Sequence, residues 1–186
     1  MNILFILGDG FDRNLGMETS YKDFYKNAYQ VQEGDNDLIK ELKRAIEKDI
    51  ESWATLEIEL GKYTSNLKNR NEFDTIFDDI RVKLADYMAL QENTFPYDAS
   101  IKNQFFEDMR FPYKFLTEGD NQRFRTEYNF NDVSINVITF NYTRSLEKIL
   151  DYNGENITIE NPTGKSFYFT GIEHIHGYPV KGALMI

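Results

Sequence analysis

The sequence predicts an α/β fold in which a parallel β-sheet carries a large helical insertion. A short apolar segment opens the chain, long segments with helical periodicity follow it, and β-branched segments return only after Asp132. Strands separated by helices in this way are typical of parallel sheets. The length of 186 residues suits one domain. We therefore predict a single domain over residues 1–186, with the helical insertion at residues 37–116.

The first predicted element is a strand over residues 3–7, which is apolar at every position. A continuous apolar run of this length indicates a buried central strand of a parallel sheet, covered on both faces. No apolar segment approaches the roughly 20 residues of a membrane-spanning helix. Acidic residues follow the strand where a signal peptide would have its cleavage site. We therefore expect a cytoplasmic protein with no membrane partner.

Apolar residues spaced three and four positions apart predict helices in the middle of the chain. Thr19 or Ser20 is the expected N-cap of the first, Gly61 the expected break after the second, and Pro112 divides the last. The apolar stripe of the second helix includes Trp53. The predicted helices cover residues 15–29, 37–60, 72–90 and 101–116.

The C-terminal part of the chain contains short β-branched and aromatic segments, which favour strands. A helix is expected at residues 145–150, and the polar run at residues 117–132 is expected to connect the insertion to the sheet. The predicted strands cover residues 135–140, 157–159, 167–170 and 172–176.

The turn after the first strand has the composition of a dinucleotide-binding turn. Its glycines would let the backbone approach a phosphate. A third glycine at the usual spacing is absent, because Arg13 stands there, and Gly16 supplies a different spacing. The alternative is a tight turn with its glycines at positive φ and Asp12 as a helix cap. The residues of this turn are Gly8, Asp9, Gly10, Phe11 and Asp12.

Acidic side chains complicate a phosphate site at this turn. Asp9 and Asp12 place negative charge where a phosphate would approach. The two carboxylates could instead bind a divalent cation, but no third oxygen ligand follows at a suitable spacing. The sequence therefore predicts no metal site.

Asn141 follows the strand at residues 135–140, at the edge of a parallel sheet where ligands gather. Thr139 and Tyr142 flank it at the same edge. The Asn141 amide both donates and accepts hydrogen bonds, so it can orient a sugar hydroxyl or an attacking water. Capping of the following helix is the alternative role.

His174 and His176 are the only histidines, and in a strand they would point to the same face. One would act as a base and the other as its support. A zinc site would need carboxylates as its remaining ligands, because the chain has no cysteine. A structural pair, hydrogen-bonded in a polar pocket, also fits the pattern.

Composition excludes several function classes. The 21 Lys and Arg against 31 Asp and Glu give a net charge of −10, which disfavours nonspecific nucleic-acid binding. The absence of cysteine excludes disulfides and a thiolate nucleophile.

Five short motifs occur along the chain, at residues 6–12, Gly16 with 19–21, 53–60, 139–143 and 174–177. Together they resemble the bacteriophage abortive infection AbiH family. The family usually has Asn where this chain has Asp9, and it usually continues well beyond the His-Gly motif. We therefore expect an AbiH-like domain that is truncated at its C-terminus. The resemblance implies an antiphage defence protein, with a phage component as a partner.

Gly8 and Gly10, Gly16 six residues later, Asn141 after a strand and His176 before a glycine occur in this order. The order has a more remote similarity to sirtuin-like NAD-consuming domains, which implies a Rossmann-like core that binds NAD or a related nucleotide. It implies hydrolysis at the nicotinamide ribose, with His176 as general base and Asn141 orienting the attacked group. The competing hypothesis is a nucleotide-binding sensor or interaction module without turnover. The residues expected to line the nucleotide site are Gly8, Asp9, Gly10, Phe11, Asp12, Gly16, Thr139, Tyr142 and His174.

Overall fold

The computed structural model of the chain describes residues 1–159 and 166–178. Its strands are β1 (Asn2–Leu7), β2 (Val133–Thr139), β3 (Ile157–Ile159) and β4 (Phe167–His174). Its helices are α1 (Asp9–Asn14), α2 (Tyr21–Asn27), α3 (Asp37–Lys48), α4 (Leu56–Tyr63), α5 (Arg70–Thr94), α6 (Ala99–Arg110), α7 (Glu118–Phe130) and α8 (Ser145–Leu150). Short 3-10 helices lie at Ser52–Ala54, Thr64–Asn66 and Pro112–Phe115. The predicted α/β class is confirmed.

The chain divides into two compact units. The sheet unit contains Met1–Gly8, Pro96–Phe140 and the described residues of Arg144–Ile175. The helical unit contains Asp9–Phe95, Asn141–Thr143 and the described residues from His176 onward. The segment predicted as one insertion, residues 37–116, is therefore shared, because α3, α4 and α5 belong to the helical unit and α6 to the sheet unit.

The sheet unit is built on a four-stranded, mostly parallel sheet of order β1-β2-β4-β3. Strands β1, β2 and β4 run parallel, and β3 pairs antiparallel with β4. Alternate side chains of β2 point to one face and are buried, as a strand with one covered face requires. The core on this face comprises Val133, Ile135, Val137, Phe167, Phe169, Tyr128, Leu146 and Ile149.

The position of β1 corrects one expectation. The continuous apolar run predicted a central, fully covered strand, but β1 is an edge strand of the described sheet, and Leu4 and Ile6 are 55% and 66% exposed. An apolar run tells which residues prefer burial, whereas the number of neighbouring strands depends on pairing between distant segments. Sequence periodicity therefore could not place this strand at the edge.

The predicted strands at residues 167–170 and 172–176 are one strand, β4, which ends at His174. The register between β2 and β4 shifts between Ile135 and Asn136, opposite Gly171. Such an irregularity lets a strand continue while one residue is left out of the regular pairing. Thr170 is the residue left out of this pairing, so the strand continues through Gly171 without a break.

The helical unit has its own aromatic and aliphatic core. Helix α5 contributes Ile76, Ile80 and Leu84, spaced four apart, and all three are fully buried. The expected stripe residues Trp53, Leu56 and Leu60 belong to the same core. The N-cap of α2 is Ser20, whose hydroxyl accepts from the Asp23 backbone in a capping box. That prediction is confirmed.

The single helix predicted over residues 37–60 is wrong. Helix α3 ends at Lys48, because the Asp49 carboxylate accepts hydrogen bonds from the Ser52 backbone N–H at 3.3 Å and the Ser52 hydroxyl at 2.7 Å. Local side-chain bonds of this kind compete with helical backbone bonds. Gly61 lies inside α4, so the helix break expected at this glycine is also wrong.

The polar run at residues 117–132 is also helical, as α7. Few side chains of α7 face the core, so its sequence shows little of the apolar periodicity that predicts a helix. Tyr128 provides the anchor, with its ring centroid 4.9 Å from that of Phe167. Pro112 separates α6 from the following 3-10 helix as expected.

Gly16 ends α1 in a Schellman motif. The Gly16 N–H donates to Arg13 O at 2.9 Å, the Met17 N–H donates to Asp12 O at 3.1 Å, and Gly16 has φ +90. A side chain at this φ is strained, so the geometry explains why glycine stands here.

We expect Gly16→Ala to lower the free energy of unfolding by about 1–2 kcal/mol, because alanine disfavours positive φ. Gly61→Ala is the matched control, since it lies in a helix with no atom within 4 Å of an added Cβ. Alanine should stabilise that site by about 0.5–1 kcal/mol. Urea unfolding measures both changes, and equal effects of the two variants would contradict the helix-ending role.

Candidate functional site

The carboxyl ends of the three parallel strands meet at one edge of the sheet unit. Thr139 lies opposite Leu7 in β1 and opposite His174 in β4. The pairing extends past the strand ends, since the Phe140 N–H donates to Leu7 O at 2.9 Å and the Ile175 N–H donates to Thr139 O at 3.0 Å. Gly8, which follows β1, and Thr139, the last residue of β2, therefore lie at the edge of the sheet where ligands of parallel sheets gather.

His174, at the end of β4, forms a buried pair with Glu147 of α8. His174 Nε2 lies 2.8 Å from Glu147 Oε1, and their side chains are 6% and 9% exposed. Arg144 Nε lies 3.4 Å from the same oxygen. Glu147 could not be predicted as a site residue, because one acidic residue in a short helix is usually solvated. Its distance of 27 positions from His174 also gives no local signal.

The ionisation of Glu147 follows from this pairing. Burial alone would raise the pKa of its carboxyl, but the hydrogen bond and charge of His174 outweigh burial, so the pKa is lowered overall. A carboxyl with a lowered folded pKa stabilises the fold fully above its unfolded pKa of about 4.3. That contribution is lost as the pH falls through the lower folded pKa.

We therefore expect Glu147→Gln to destabilise the protein at neutral pH, and the difference from the parent chain to shrink as the pH falls below about 4.3. Urea unfolding of both proteins between neutral pH and the acid range measures this difference. A pH-independent difference would show that the carboxylate charge does not contribute.

A second polar cluster lies in the helical unit, around residues Asn141–Thr143. The Thr143 hydroxyl donates to Asp12 Oδ2 at 2.6 Å, and both residues are buried. Asn141, which precedes Thr143 by two residues, is also buried. A buried carboxylate bonded to a hydroxyl makes a short, charge-assisted hydrogen bond. Asp12 therefore fixes the loop that carries Asn141.

Two alternative roles considered for these residues are wrong. Asp12 does not cap a helix, since α1 begins at Asp9 and Asp12 lies inside it. Asn141 does not cap α8, whose N-cap position is Arg144. Asp and Asn are frequent N-cap residues, so a sequence suggests helix caps at many positions. Tertiary contacts decide which of these residues begins a helix.

Tyr142 links this loop to His176. Their ring centroids lie 5.3 Å apart. On the other side, the Tyr142 hydroxyl lies 2.7 Å from the Tyr21 hydroxyl, which donates to Glu57 Oε1 at 2.6 Å. Burial, followed by the neighbouring Glu57, raises the pKa of Tyr142 to about 12, and burial also raises the pKa of Tyr21. Both hydroxyls therefore remain protonated and neutral at physiological pH.

The glycines before and in α1 do not have positive φ. Gly8 and Gly10 are outside the left-handed region, so the tight-turn alternative with positive φ is wrong for both. Both are exposed, and an added Cβ would meet no atom within 4 Å at either position. Protein packing therefore does not require glycine here. Open space above a backbone is what close approach of a ligand needs.

The remaining predicted residues have clear positions. Asp9 is exposed, with Asp9 Oδ2 4.0 Å from Arg13 NH1, and Phe11 is half-buried in α1. Gly16 ends α1, as described above. His174 and His176 do not share a strand face, because β4 ends at His174.

The structure thus brings together Asp12 with Thr143, and Tyr142 with His176, inside the helical unit. Thr139 and His174 are brought together inside the sheet unit. Tyr21 and Glu57 lie in the family motifs at residues 19–21 and 53–60, but neither was predicted as a site residue. A tyrosine on an apolar helix face indicates core, and a glutamate between Leu56 and Ile58 indicates solvent.

No helix among residues 1–159 and 166–178 is long and apolar enough to cross a membrane. No group of three or more His, Asp and Glu side chains among them is arranged to hold a metal ion.

Comparison with known proteins gives one family. The family model described as "Bacteriophage abortive infection AbiH" matches residues 4–186, which is nearly the whole chain. No significant match was found among curated proteins or among solved structures.

Proposed function

Because this chain belongs to the bacteriophage abortive infection AbiH family, we propose that it is an antiphage defence protein that hydrolyses NAD⁺ or a related nicotinamide nucleotide. Family membership supports the defence role, with a phage component as the proposed trigger. One observation supports the proposed hydrolase activity. The loop Asn141–Thr143 is fixed by buried Asp12 and contacts the His176 ring through Tyr142.

The proposed reaction is cleavage of the N-glycosidic bond of the nicotinamide ribose. Water attacks the anomeric carbon, the carbon–nitrogen bond breaks, and its electron pair leaves with nicotinamide. His176 takes the proton from the water, and Asn141 orients the attacked group through its amide. The products are nicotinamide, ADP-ribose and one proton, so the reaction needs no further co-reactant.

Charge favours this chemistry over a pyrophosphate-centred site. The transition state of glycosidic cleavage has oxocarbenium character and is stabilised by nearby negative charge. The helical unit supplies the exposed Glu57 side chain beside Tyr21, whose hydroxyl donates to Glu57 Oε1 at 2.6 Å. Acidic groups that oppose a phosphate thus suit the cationic ribose end of the substrate.

The turn after β1 supports a nucleotide approach to the backbone. Gly10 is exposed and has open space where a Cβ would stand. A Rossmann-like, sirtuin-like core is part of this proposal. Its support is the parallel arrangement of β1, β2 and β4, with Gly8 and Asn141 following β1 and β2 in the sequence.

Incubation of the protein with NAD⁺ tests the proposal. Chromatography should detect nicotinamide and ADP-ribose in equal amounts, increasing with time and enzyme concentration. Calorimetry of NAD⁺ binding accompanies this assay. Binding without product release would overturn the hydrolase and favour the nucleotide-binding sensor, and neither binding nor release would overturn both.

A further inference from the structure

Three polar side chains from distant parts of the sequence form a hydrogen-bonded chain in the helical unit. Tyr21 begins α2, Glu57 lies in α4, and Tyr142 lies in the loop Asn141–Thr143. The Tyr21 hydroxyl donates to Glu57 Oε1 at 2.6 Å and lies 2.7 Å from the Tyr142 hydroxyl, which is 3.4 Å from the same Glu57 oxygen. A tyrosine hydroxyl has one proton to donate. Because Tyr21 gives its proton to the carboxylate in the shorter bond, Tyr142 donates to Tyr21.

These hydrogen bonds hold the outer end of the Tyr142 ring. The backbone of the loop holds the other end of the side chain, so the ring is fixed at both ends. Tyr142 is buried, and its ring centroid lies 5.3 Å from that of His176, with 35° between the ring planes. A change in the tilt of the Tyr142 ring would therefore change the surface against which the His176 imidazole packs.

Packing alone does not require the two tyrosine hydroxyls. Phe24, in the same helix as Tyr21, is fully buried with an apolar ring. Burial raises the pKa of Tyr21 and of Tyr142, so both hydroxyls have lost much of their contact with water. A hydrogen bond that only replaces one to water adds little net stability. Phenylalanine would fill nearly the same space, so the hydroxyls indicate a need for a fixed orientation.

We propose that Tyr21 is a positioning residue for His176 and that it acts through its hydrogen bond to Tyr142. Its effect on the rate rests on the proposed function, in which His176 takes the proton from the attacking water. A base must lie within hydrogen-bond distance of the proton that it takes, and a displacement of about 1 Å costs up to about 100-fold in rate. Loss of the Tyr21 hydroxyl should therefore lower kcat about 10- to 100-fold and leave KM for NAD⁺ nearly unchanged.

Steady-state kinetics of nicotinamide release by Tyr21→Phe test this role, because the change removes the hydroxyl and keeps the ring. Tyr29→Phe is the matched control, since the Tyr29 hydroxyl also donates to a carboxylate in the helical unit, Asp79 Oδ2 at 2.7 Å. Tyr29→Phe should keep the parent kcat. An unchanged kcat in Tyr21→Phe, or equal losses in the two variants, would overturn the positioning role. Circular dichroism confirms that each variant is folded.

A double variant tests whether the two hydroxyls act as one link. Tyr142→Phe breaks the same hydrogen-bonded chain and keeps the ring beside His176, so it should also lower kcat. The protein with both Tyr21→Phe and Tyr142→Phe should be no slower than the slower single variant, because the second change removes nothing further. Losses that multiply in the double variant would show that the hydroxyls act separately and would overturn the proposed link.

Nuclear magnetic resonance of the histidine rings tests the geometry without catalysis. The chain has two histidines, and the signal that disappears in His176→Gln identifies His176. An aromatic ring shifts the resonances of a ring packed against it, so the His176 signal should move in Tyr21→Phe and stay in place in Tyr29→Phe. An unmoved signal in Tyr21→Phe would overturn the positioning role. A parent chain that releases no nicotinamide, with the signal moving as expected, would overturn the proposed function alone.

Discussion

Replacing Trp53 with alanine is expected to lower the free energy of unfolding by about 3–5 kcal/mol. Trp53 is 5% exposed and belongs to the core of the helical unit. Its ring centroid lies 6.5 Å from that of Tyr25 and 6.0 Å from that of Tyr63, both in edge-to-face geometry. Removal of the ring leaves a cavity among residues that cannot close it, because the surrounding helices are fixed by their own buried faces.

Urea unfolding followed by far-ultraviolet circular dichroism measures this loss without relying on tryptophan fluorescence. Ile58→Ala is the matched control, since Ile58 is 58% exposed in α4, and it should change stability by about 0.5 kcal/mol or less. A Trp53→Ala protein with normal stability and altered nucleotide affinity would indicate a surface lid instead of a core residue.

Replacing His176 with glutamine is expected to lower the rate of nicotinamide release by about 10²–10⁴-fold. The glutamine amide keeps a polar side chain of similar size beside Tyr142, but it cannot accept the proton of the attacking water. Binding of NAD⁺ should persist, because the proposed contacts at Gly10 and Asn141 are unchanged. The rate assay and calorimetry on the same preparation separate these two quantities.

Ile175→Ala is the control for this prediction, since Ile175 is exposed next to His176 in the sequence. It should release nicotinamide at the parent rate. A His176→Gln protein with an unchanged rate would remove His176 from the mechanism, and equal loss in both variants would indicate a general disturbance of this segment.

Local signals predicted most elements of the fold. Ser20 with Asp23 marked the start of α2, and the four-residue spacing of Ile76, Ile80 and Leu84 marked α5. The errors arose where a tertiary or competing local contact decided the outcome. Asp49 ends α3 through bonds to Ser52. The edge position of β1 depends on which strands pair, and apolar content does not encode pairing.

In the candidate site, too, local signals were recognisable and tertiary contacts were not. The ends of strands and the Gly-Asp-Gly turn were recognisable, so Thr139, Asn141 and Gly10 were predicted from position alone. Partners distant in sequence were not recognisable. The pairs of Glu147 with His174 and of Tyr21 with Glu57 join residues whose local patterns indicate solvent or core, and only the folded chain brings them within hydrogen-bond distance.

The most direct test of the proposed nucleotide site is the affinity of Gly10→Ala for ADP-ribose, the proposed product, which the proposed reaction does not consume. Alanine fits the helical backbone at position 10 without strain, since no atom lies within 4 Å of its Cβ. Gly61→Ala, an equally open glycine in α4, is the matched control. If the nucleotide lies against Gly10, calorimetry should show about tenfold or greater weakening in Gly10→Ala and parent affinity in Gly61→Ala. Parent affinity in a folded Gly10→Ala protein would contradict a nucleotide site at this turn.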